Sequence, residues 1–345
     1  MTRQILVGGV PVGGGAPVTI QSMTNTRTDD VGATVDQILR LEEAGCQIIR
    51  VAVPDMAAAK AVGAIKARIH IPLVVDIHFD YRLALACVEE GCDAVRINPG
   101  NIGGEDRVKT VAEACKAKNL PIRIGVNGGS LEKPLLAKYG GVTPEALVES
   151  AFGHIALLEQ YDFHDICVSL KSSSVVTTMA AYRLISEKSN YPLHLGVTET
   201  GTTRMGTIKS AIGIGGLLAL GIGDTLRVSL SADPVEEVYA AKDILKALGM
   251  AANEPNLVSC PTCGRTRIDL IGLAHQVEER LKSVHKPITV AVMGCVVNGP
   301  GEASAADVGI AGGQGEGLLF RKGEIVKKVP QDQLVDELFA LIDQL

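Results

Sequence analysis

The sequence predicts a (β/α)8 barrel, the TIM-barrel fold, followed by a small α/β domain. Three observations lead to this class. Aromatic residues make up 3% of the 345 residues and Trp is absent, so the core must consist of Val, Ile, Leu and Ala. These residue types fill parallel strands that are buried on both faces. The chain also repeats a unit of roughly 25 to 30 residues, and eight short apolar segments alternate with helical ones, which is the count of a closed barrel.

A short hairpin is predicted ahead of the barrel, with strands over residues 4–7 and 10–12 and a two-glycine turn between them. A hairpin in this place is suited to plug one end of a barrel. The repeated unit is clearest in residues 41–50 and 87–96, where an amphipathic helix ends at a glycine and a short apolar strand follows. Both strands end in arginine, so the same helix-to-strand step occurs twice.

The barrel strands are predicted from short runs of Val, Ile and Leu that stand between helical segments. They cover residues 18–21, 48–52, 73–77, 94–98, 122–126, 166–170, 193–197 and 225–229. The clearest helices between them cover residues 34–44, 105–118, 144–160 and 234–248. An open doubly wound sheet is disfavoured, because it needs fewer strands and because no glycine fingerprint follows the first strand.

A domain boundary is predicted after the helix that ends at Gly249, because residues 250–257 are polar and contain proline. The expected domains are therefore a barrel for substrate binding over residues 1–250 and a second α/β domain over residues 251–345. The second domain is predicted to contain a long helix, four strands and a closing helix. These cover residues 268–284, then 288–293, 308–311, 318–320 and 325–329, and finally 331–342.

Composition and charge exclude several classes of protein. The formal net charge of −6 argues against a general nucleic-acid surface. No apolar stretch is long enough to span a bilayer and no secretion signal stands at the start, so no membrane partner and a cytoplasmic location are expected. In that compartment the eight cysteines are expected to be thiols or metal ligands and not disulfides.

Cationic side chains stand at the predicted strand ends, which form the active-site face of a TIM barrel. They come from five different strands: Arg50, Arg96, Arg123, Lys171 and Arg227. Polar residues accompany them, namely His78, Asn98, Asn127 and Ser229. Because arginine binds phosphate through a bidentate fork, we expect a substrate with two or more phosphate charges. The alternative is that each arginine pairs with a carboxylate at the barrel rim, where chiefly Asp76 and Glu199 are available.

Asp76, His78 and Glu199 are the candidates for acid–base chemistry. Asp76 and His78 alternate along one strand, so both side chains can face the barrel interior. They are suited either to proton transfer or to a structural polar pair in the upper barrel. Glu199 follows the seventh strand and is expected to lie among the cations.

Three thiols and one carboxylate in the last hundred residues form a predicted metal site. Cys260 and Cys263 are spaced as Cys-x-x-Cys, and Cys295 and Glu302 follow in a glycine-rich stretch. Zinc and an iron–sulfur cluster both accept three thiolates, and no fourth Cys or His lies near, which favours a cluster with an exchangeable carboxylate. A redox dithiol would leave Cys295 unexplained. The other five cysteines stand among apolar neighbours and are predicted to be buried core residues: Cys46, Cys87, Cys92, Cys115 and Cys167.

Nine motifs in order resemble those of the 4-hydroxy-3-methylbut-2-enyl diphosphate synthases, the GcpE/IspG family, in its short two-domain form. They are residues 21–26 (QSMTNT), 75–79 (VDIHF), 96–103 (RINPGNIG), 123–127 (RIGVN), 169–173 (SLKSS), 206–210 (GTIKS), 223–231 (GDTLRVSLS), 260–265 (CPTCGR) and 294–302 (GCVVNGPGE). The resemblance extends over nearly the whole chain.

The resemblance implies a [4Fe–4S] cluster in the second domain, held by Cys260, Cys263, Cys295 and Glu302. It implies the substrate 2-C-methyl-D-erythritol 2,4-cyclodiphosphate, whose diphosphate would meet the barrel cations, and a two-electron reductive ring opening with loss of a hydroxyl as water. Glu199 or Asp76 would supply a proton, and Glu302 would give way to the substrate. Reduced flavodoxin or ferredoxin would supply single electrons, and the expected assembly is a head-to-tail homodimer.

Overall fold

The computed structural model describes residues 1–98, 101–251, 254–284, 286–295, 305–313 and 315–345. The chain forms two compact units, Met1–Met250 and Ala251–Leu345. Each is described below by itself. No helix among the described residues is both long and apolar enough to cross a membrane.

The first unit is a nearly closed barrel of parallel strands, which confirms the predicted fold. Within the described residues eight strands form it: β3 (Thr19–Met23), β4 (Ile48–Ala52), β5 (Leu73–Asp76), β6 (Ala94–Ile97), β7 (Ile122–Asn127), β8 (Ile166–Lys171), β9 (His194–Leu195) and β10 (Thr225–Leu226). Their order in the sheet is β8-β7-β6-β5-β4-β3-β10-β9. A parallel bridge between Val168 and Leu193 joins the region of β8 to that of β9.

Helices surround the barrel, and several of them begin or end at residue types that favour helix termini. They are α1 (Val31–Ala44), α2 (Met56–Lys66), α3 (Tyr81–Glu89), α4 (Glu105–Ala117), α5 (Lys133–Tyr139), α6 (Pro144–Glu159), α7 (Val175–Lys188), α8 (Thr203–Ser210), α9 (Gly216–Leu218) and α10 (Pro234–Ala247). The Asp30 carboxylate caps α1 by accepting from the Ala33 N–H, and α1 ends at Gly45 with φ of 104°. The predicted glycine ending of α1 is therefore confirmed.

Strands β9 and β10 are shorter than predicted. The sequence pattern gave them five residues each, and the structure gives them two. Beyond Leu226 the chain leaves the regular ladder, and the Ser229 carbonyl accepts a hydrogen bond from the Thr200 hydroxyl. A side-chain donor thus replaces the strand partner at the end of β10, which the alternation of apolar residues did not reveal.

The predicted hairpin is present and closes the amino-terminal end of the barrel. Its strands are β1 (Gln4–Val7) and β2 (Val10–Gly13). The buried hairpin residues Ile5, Val7 and Val12 pack against side chains from the first or second positions of four barrel strands, namely Ile48, Val74, Ala94 and Cys167. The expected plug is confirmed, and the opposite end of the barrel carries the charged strand ends.

The second unit is a mixed five-stranded sheet with helices, within the part of the chain that the structure describes. Its strands are β11 (Asn256–Ser259), β12 (Thr289–Met293), β13 (Val308–Gly312), β14 (Glu316–Arg321) and β15 (Glu324–Pro330), in that order across the sheet. The first three are parallel and the last two are antiparallel to their neighbours. The helices are α11 (Leu270–Leu281) and α12 (Leu334–Asp343).

Strand β11 was not predicted, and it begins at Asn256, within the segment over residues 250–257 that was described only as polar and proline-containing. The residues of β11 are exposed or half-buried, so they carry no apolar alternation. Pairing with β12 holds them in the sheet, with Ser259 opposite Val292. The strand matters for the cysteine site because it ends directly before Cys260.

Candidate functional site

Charged side chains from neighbouring strands face the interior of the barrel. Asp76 pairs in register with Arg96, and Arg96 with Arg123, across β5, β6 and β7. All three are buried, as is Arg50 on β4. Charged groups are rarely fully buried unless they are paired or await a ligand. This cluster is therefore the candidate binding site of the first unit.

Asp76 is the anionic centre of the cluster. Its carboxylate accepts a hydrogen bond from Arg96 Nη1 at 2.9 Å and lies 3.6 Å from Arg50 Nε. The His78 ring nitrogen Nε2 lies 3.8 Å from the same carboxylate, on a half-exposed side chain. Burial alone would raise the pKa of Asp76, but the charges of Arg50 and Arg96 outweigh it and lower the pKa to about 2. Asp76 is thus ionised at neutral pH.

Arg123 lies deeper than the sequence analysis expected. It is the second residue of β7 and not one that ends the strand. Its Nη1 donates to the side-chain oxygen of Gln21, while Nε and Nη2 have no hydrogen-bond partner among the described residues. Burial lowers the pKa of Arg123 to about 10, so the guanidinium keeps its charge at neutral pH.

Arg50 and Arg227 share a neutral neighbour. The Met23 sulfur lies 3.2 Å from Arg50 Nε, 3.0 Å from Arg50 Nη2 and 3.7 Å from Arg227 Nη1. Arg227 also pairs with Glu237 in α10, at 3.2 Å between Nη2 and Oε2. Met23 and Glu237 were not anticipated from the sequence, and the expectation that chiefly Asp76 and Glu199 would neutralise the cations was wrong in leaving out Glu237.

Lys171 ends β8 beside this cluster and is buried. No hydrogen-bond or ion-pair partner of its ammonium group is found among the described residues. Burial lowers its pKa well below the usual value, and the charges of Arg50 and Arg227 lower it further. Asn127 lies opposite Lys171 in the register of β7 and β8. The five cations thus have two carboxylate partners within the described structure, Asp76 and Glu237.

The remaining predicted site residues lie around the mouth. Asn98 is buried directly after β6, and Ser229 is half-buried after β10. Glu199 is exposed and has a positive φ of 56°, an uncommon conformation for a non-glycine residue that is often found at functional sites. The prediction that Glu199 lies among the cations is not reflected in an ion pair within the described part of the chain.

His194 on β9 is a buried interior residue that the sequence analysis did not select. It is fully buried, and neither ring nitrogen has a hydrogen-bond partner among the described residues. Burial lowers the pKa of His194 well below its usual value, as do the charges of Arg123 and Lys171, so the ring is neutral. The sequence contained one signal for this residue: His194 alternates with Gly196 and Thr198 along the predicted strand and just beyond it, and alternate residues of a strand lie on the same side.

The thiols of the second unit stand at the carboxyl ends of two neighbouring parallel strands. Cys260 follows β11 and Cys295 follows β12 after Gly294. The Gly294 N–H donates a hydrogen bond to the Cys260 sulfur at 3.1 Å. Cys263 is exposed in the next turn, where its N–H donates to the Thr266 hydroxyl oxygen at 3.2 Å.

This arrangement provides ligands without forming a closed metal site. Among the described residues, no three His, Cys, Asp or Glu side chains are grouped closely enough to hold one metal ion. The fourth predicted ligand, Glu302, lies outside the described residues. Thiols at the ends of neighbouring strands, with a backbone N–H directed at one sulfur, are the donor type that iron–sulfur clusters use.

The other five cysteines are buried, as predicted. Burial raises the pKa of Cys46, Cys87, Cys115 and Cys167 to about 12, and that of Cys92 well above the usual value. They are protonated core residues and not ligands or nucleophiles.

Family models match both units of the chain. The GcpE TIM-barrel domain matches residues 2–242, and the GcpE protein C-terminal domain matches residues 256–344. The chain belongs to the GcpE family. The resemblance of the motifs to this family is thereby confirmed.

Two relatives show how similar members of the GcpE family are to this chain. A protein of Clostridium perfringens is 63% identical over 344 residues, an alignment that covers 100% of this chain and 99% of the relative. A protein of Geobacter sulfurreducens is 60% identical over 344 residues, with 100% and 98% covered. Both are named 4-hydroxy-3-methylbut-2-en-1-yl diphosphate synthase (flavodoxin).

The barrel is also similar to that of a solved structure with another name. The dihydropteroate synthase of Yersinia pestis matches with a TM-score of 0.51 and 14% sequence identity, over 73% of this chain and 100% of that one. At this identity the likeness shows the fold alone.

Proposed function

We propose that this chain is a 4-hydroxy-3-methylbut-2-en-1-yl diphosphate synthase that takes electrons from flavodoxin. Relatives that are 58–63% identical over the full length carry this name. The observation that carries the proposal is the cluster of buried Arg50, Arg96, Arg123 and Lys171 with half-buried Arg227, which has only two carboxylate partners among the described residues. The reaction opens the ring of 2-C-methyl-D-erythritol 2,4-cyclodiphosphate by two-electron reduction and releases one hydroxyl as water.

The diphosphate binds to the barrel cluster in this proposal. Each phosphorus of the cyclic diphosphate carries one ionised oxygen, which matches an excess of buried positive charge. Arg50, Arg96, Arg123, Lys171 and Arg227 supply the charge, and Asn98, Asn127, Ser229 and His78 supply polar contacts at the mouth. Burying uncompensated cations costs free energy of folding. A bound anion offsets this cost because it neutralises the cations.

Of the two candidate proton donors, we favour Glu199, because Asp76 is already engaged with Arg50 and Arg96. Arg50 and Arg96 hold the pKa of Asp76 at about 2, so this carboxylate has no proton to give at neutral pH. Asp76 instead fixes the positions of the two arginines. Glu199 stands at the exposed mouth, free of such an ion pair in the described structure. We therefore assign proton delivery to Glu199.

The second unit is proposed to hold a [4Fe–4S] cluster through Cys260, Cys263, Cys295 and Glu302. The thiols at the ends of β11 and β12 fit this group, and the Gly294 N–H would stabilise a thiolate at Cys260. When bound, such a cluster supplies single electrons and Lewis acidity. Glu302 would be the weakest of the four ligands, because a carboxylate binds iron more weakly than a thiolate does.

The proposed partners follow from the same assignment. Flavodoxin is the donor in the names of the relatives, and we propose ferredoxin as the alternative donor because it also transfers single electrons. We propose a head-to-tail homodimer and a cytoplasmic location. The substrate cluster and the thiols belong to separate compact units, so a reaction needs the barrel of one subunit and the second unit of its partner, or closure within one chain.

Turnover by anaerobically purified protein tests the proposal. With the cyclodiphosphate and reduced flavodoxin we expect a brown protein, with about four irons per chain, to form the linear hydroxymethylbutenyl diphosphate. A colourless protein with one zinc and no turnover would overturn it in favour of a different diphosphate-binding enzyme. An iron–sulfur protein that binds the cyclodiphosphate without turning it over would instead be a sensor.

Two variants separate the proposed roles of the carboxylates. Glu199→Gln is expected to lower kcat by about a hundredfold or more while the affinity for the cyclodiphosphate stays near that of the parent, because a proton donor acts in the transition state. Asp76→Asn is expected to weaken binding, because it releases Arg50 and Arg96. The opposite pattern would assign proton delivery to Asp76.

A further inference from the structure

Strand β3 presents uncharged acceptors to three of the five cations of the barrel cluster, namely buried Arg50 and Arg123 and half-buried Arg227. Gln21 and Met23 alternate along the strand and both face the barrel interior. The Gln21 side-chain oxygen accepts from Arg123 Nη1. The Met23 sulfur accepts from Arg50 at 3.0 and 3.2 Å and lies 3.7 Å from Arg227 Nη1.

These contacts differ in kind from the ion pairs that two of the three arginines, Arg50 and Arg227, also make. Arg50 also meets Asp76, and Arg227 meets Glu237, so each has one carboxylate and one neutral acceptor. Arg123 has the amide oxygen of Gln21 as its hydrogen-bond acceptor within the described residues. A carboxylate in the place of Gln21 or Met23 would also hold the guanidinium groups in position, but it would neutralise their charge.

An amide oxygen and a thioether sulfur orient an N–H group without cancelling its charge. The thioether is a weak acceptor, and its short contacts with Arg50 place it between two guanidinium groups that repel each other. Residues at these positions therefore fix the directions of the cations while the positive charge remains available to an anion.

We propose that Gln21 and Met23 are positioning residues for the diphosphate, which orient Arg123, Arg50 and Arg227 and leave their charge uncompensated. The inference rests on the proposed function in that it takes the buried cations to be the diphosphate site. In this inference β3 contributes to the affinity for the diphosphate, although Gln21 and Met23 do not themselves touch it.

The first test adds a negative charge at Gln21 with almost no change in shape. Gln21→Glu is expected to bind inorganic pyrophosphate about tenfold or more weakly than the parent, measured by titration calorimetry on the cluster-containing protein at low salt. Its melting temperature without ligand is expected to be equal to or above that of the parent, because a new ion pair relieves repulsion among the cations. A residue with a merely structural role would lose affinity and stability together.

The second test removes the acceptor at Met23 and then restores one. Met23→Leu keeps the volume and is expected to weaken pyrophosphate binding severalfold and to raise KM for the cyclodiphosphate, with little change in kcat. Met23→Gln supplies a neutral acceptor again and is expected to recover part of the affinity. If Gln21→Glu does not fold, this pair of variants decides the question.

Matched controls carry the same chemical changes away from the cluster. Gln4→Glu adds the same charge on an exposed residue of the hairpin, and Met56→Leu makes the same exchange on an exposed residue of α2. Both are expected to bind pyrophosphate as the parent does.

The results separate this inference from the proposed function. Unchanged pyrophosphate affinity in both Gln21→Glu and Met23→Leu would overturn the inference, and so would a parent protein that does not bind pyrophosphate. A parent that binds pyrophosphate but does not turn over the cyclodiphosphate would overturn the proposed function alone.

Discussion

At the scale of single residues, Gly125 shows how closely the interior of the barrel is packed. A Cβ atom added there would lie 2.3 Å from both Nε and Nη2 of Arg96. Arg96 therefore passes over Gly125 to reach Asp76. Glycine at this position leaves the space that the arginine occupies.

Replacing this glycine is predicted to weaken binding. Gly125→Ala should displace the Arg96 guanidinium from Asp76 and raise the dissociation constant of pyrophosphate about tenfold, which corresponds to about 1.4 kcal/mol. Gly153→Ala is the control, because a Cβ there meets nothing within 4 Å; it should bind normally and fold slightly more stably. Equal affinity in the two variants, measured by calorimetry, would contradict the proposed role of Arg96.

Lys171 is predicted to take up a proton when the substrate binds. Its pKa is lowered by burial and by the charges of Arg50, Arg227, Arg123 and Arg96, and His194 and Asp76 belong to the same cluster. A bound dianion favours the ammonium form and raises the pKa again. At a pH between the free and bound pKa values, binding should consume a proton, and affinity should fall as pH rises through that window.

Calorimetry of the oxidised protein with the cyclodiphosphate, in buffers of different ionisation enthalpy, measures this uptake. Lys171→Arg is the control, because arginine stays charged and should bind without gaining a proton at this position. The stability of the protein without ligand depends on pH in the opposite direction to the affinity. Without ligand, the lowered pKa makes the protein less stable as pH falls from the usual lysine value through the folded-state value. Equal proton uptake in parent and variant would contradict the assignment to Lys171.

The cations of the candidate site could be predicted from the sequence, but the groups that hold them could not. Strand ends identify Arg50, Arg96 and Lys171 because barrel geometry puts them on one face. The acceptors depend on contacts between distant parts of the chain: 102 residues separate Gln21 from Arg123, and 204 separate Met23 from Arg227. Such neighbours appear only when the barrel closes, and a Gln or Met in a strand gives no separate signal.

At the scale of elements, the hairpin formed by β1 and β2 shows which local signals suffice. A glycine pair between two alternating segments predicted it, and its inner residues close the barrel as expected. Strand β4 was predicted with its observed bounds because its apolar run is buried on both sides. Strand β11 was missed because its exposed residues are held by backbone pairing with β12, which leaves no pattern in the side chains.

The hairpin is predicted to contribute to stability through its inner face. Ile5 is 4% exposed and packs on the barrel floor, whereas its neighbour Leu6 is 57% exposed. Ile5→Ala should lower the free energy of unfolding of the first unit by about 2–4 kcal/mol, as measured by urea denaturation. Leu6→Ala on the same strand should change it by less than about 0.5 kcal/mol. Similar losses in both variants would mean that the hairpin acts through its backbone and not as a plug.

At the scale of the whole molecule, the two kinds of chemistry occupy different compact units. The cluster of barrel cations, which is the proposed diphosphate site, lies in Met1–Met250, and the thiols lie in Ala251–Leu345. Each unit has its own hydrophobic core. This division allows the head-to-tail dimer to be tested without a structure of the assembly.

Two inactive variants are predicted to restore activity when they share a dimer. Arg96→Ala removes substrate binding from one barrel, and Cys263→Ser removes a proposed ligand from the second unit of the other chain. If each active site combines the barrel of one subunit with the second unit of its partner, a mixed dimer has one intact site. Coexpressed in equal amounts, the variants should give about a quarter of the parental activity, since about half of the dimers are mixed and each has one working site of two.

The same mixture distinguishes a site built within one chain. In that case every mixed dimer pairs a chain without a binding site with a chain without a complete ligand set, and neither can react. Activity would then equal the sum of the two variants measured separately. Mixing purified dimers that do not exchange subunits serves as the control, because it supplies both chains without forming the shared site. Restored activity after coexpression alone would therefore place the two halves of the reaction on different subunits.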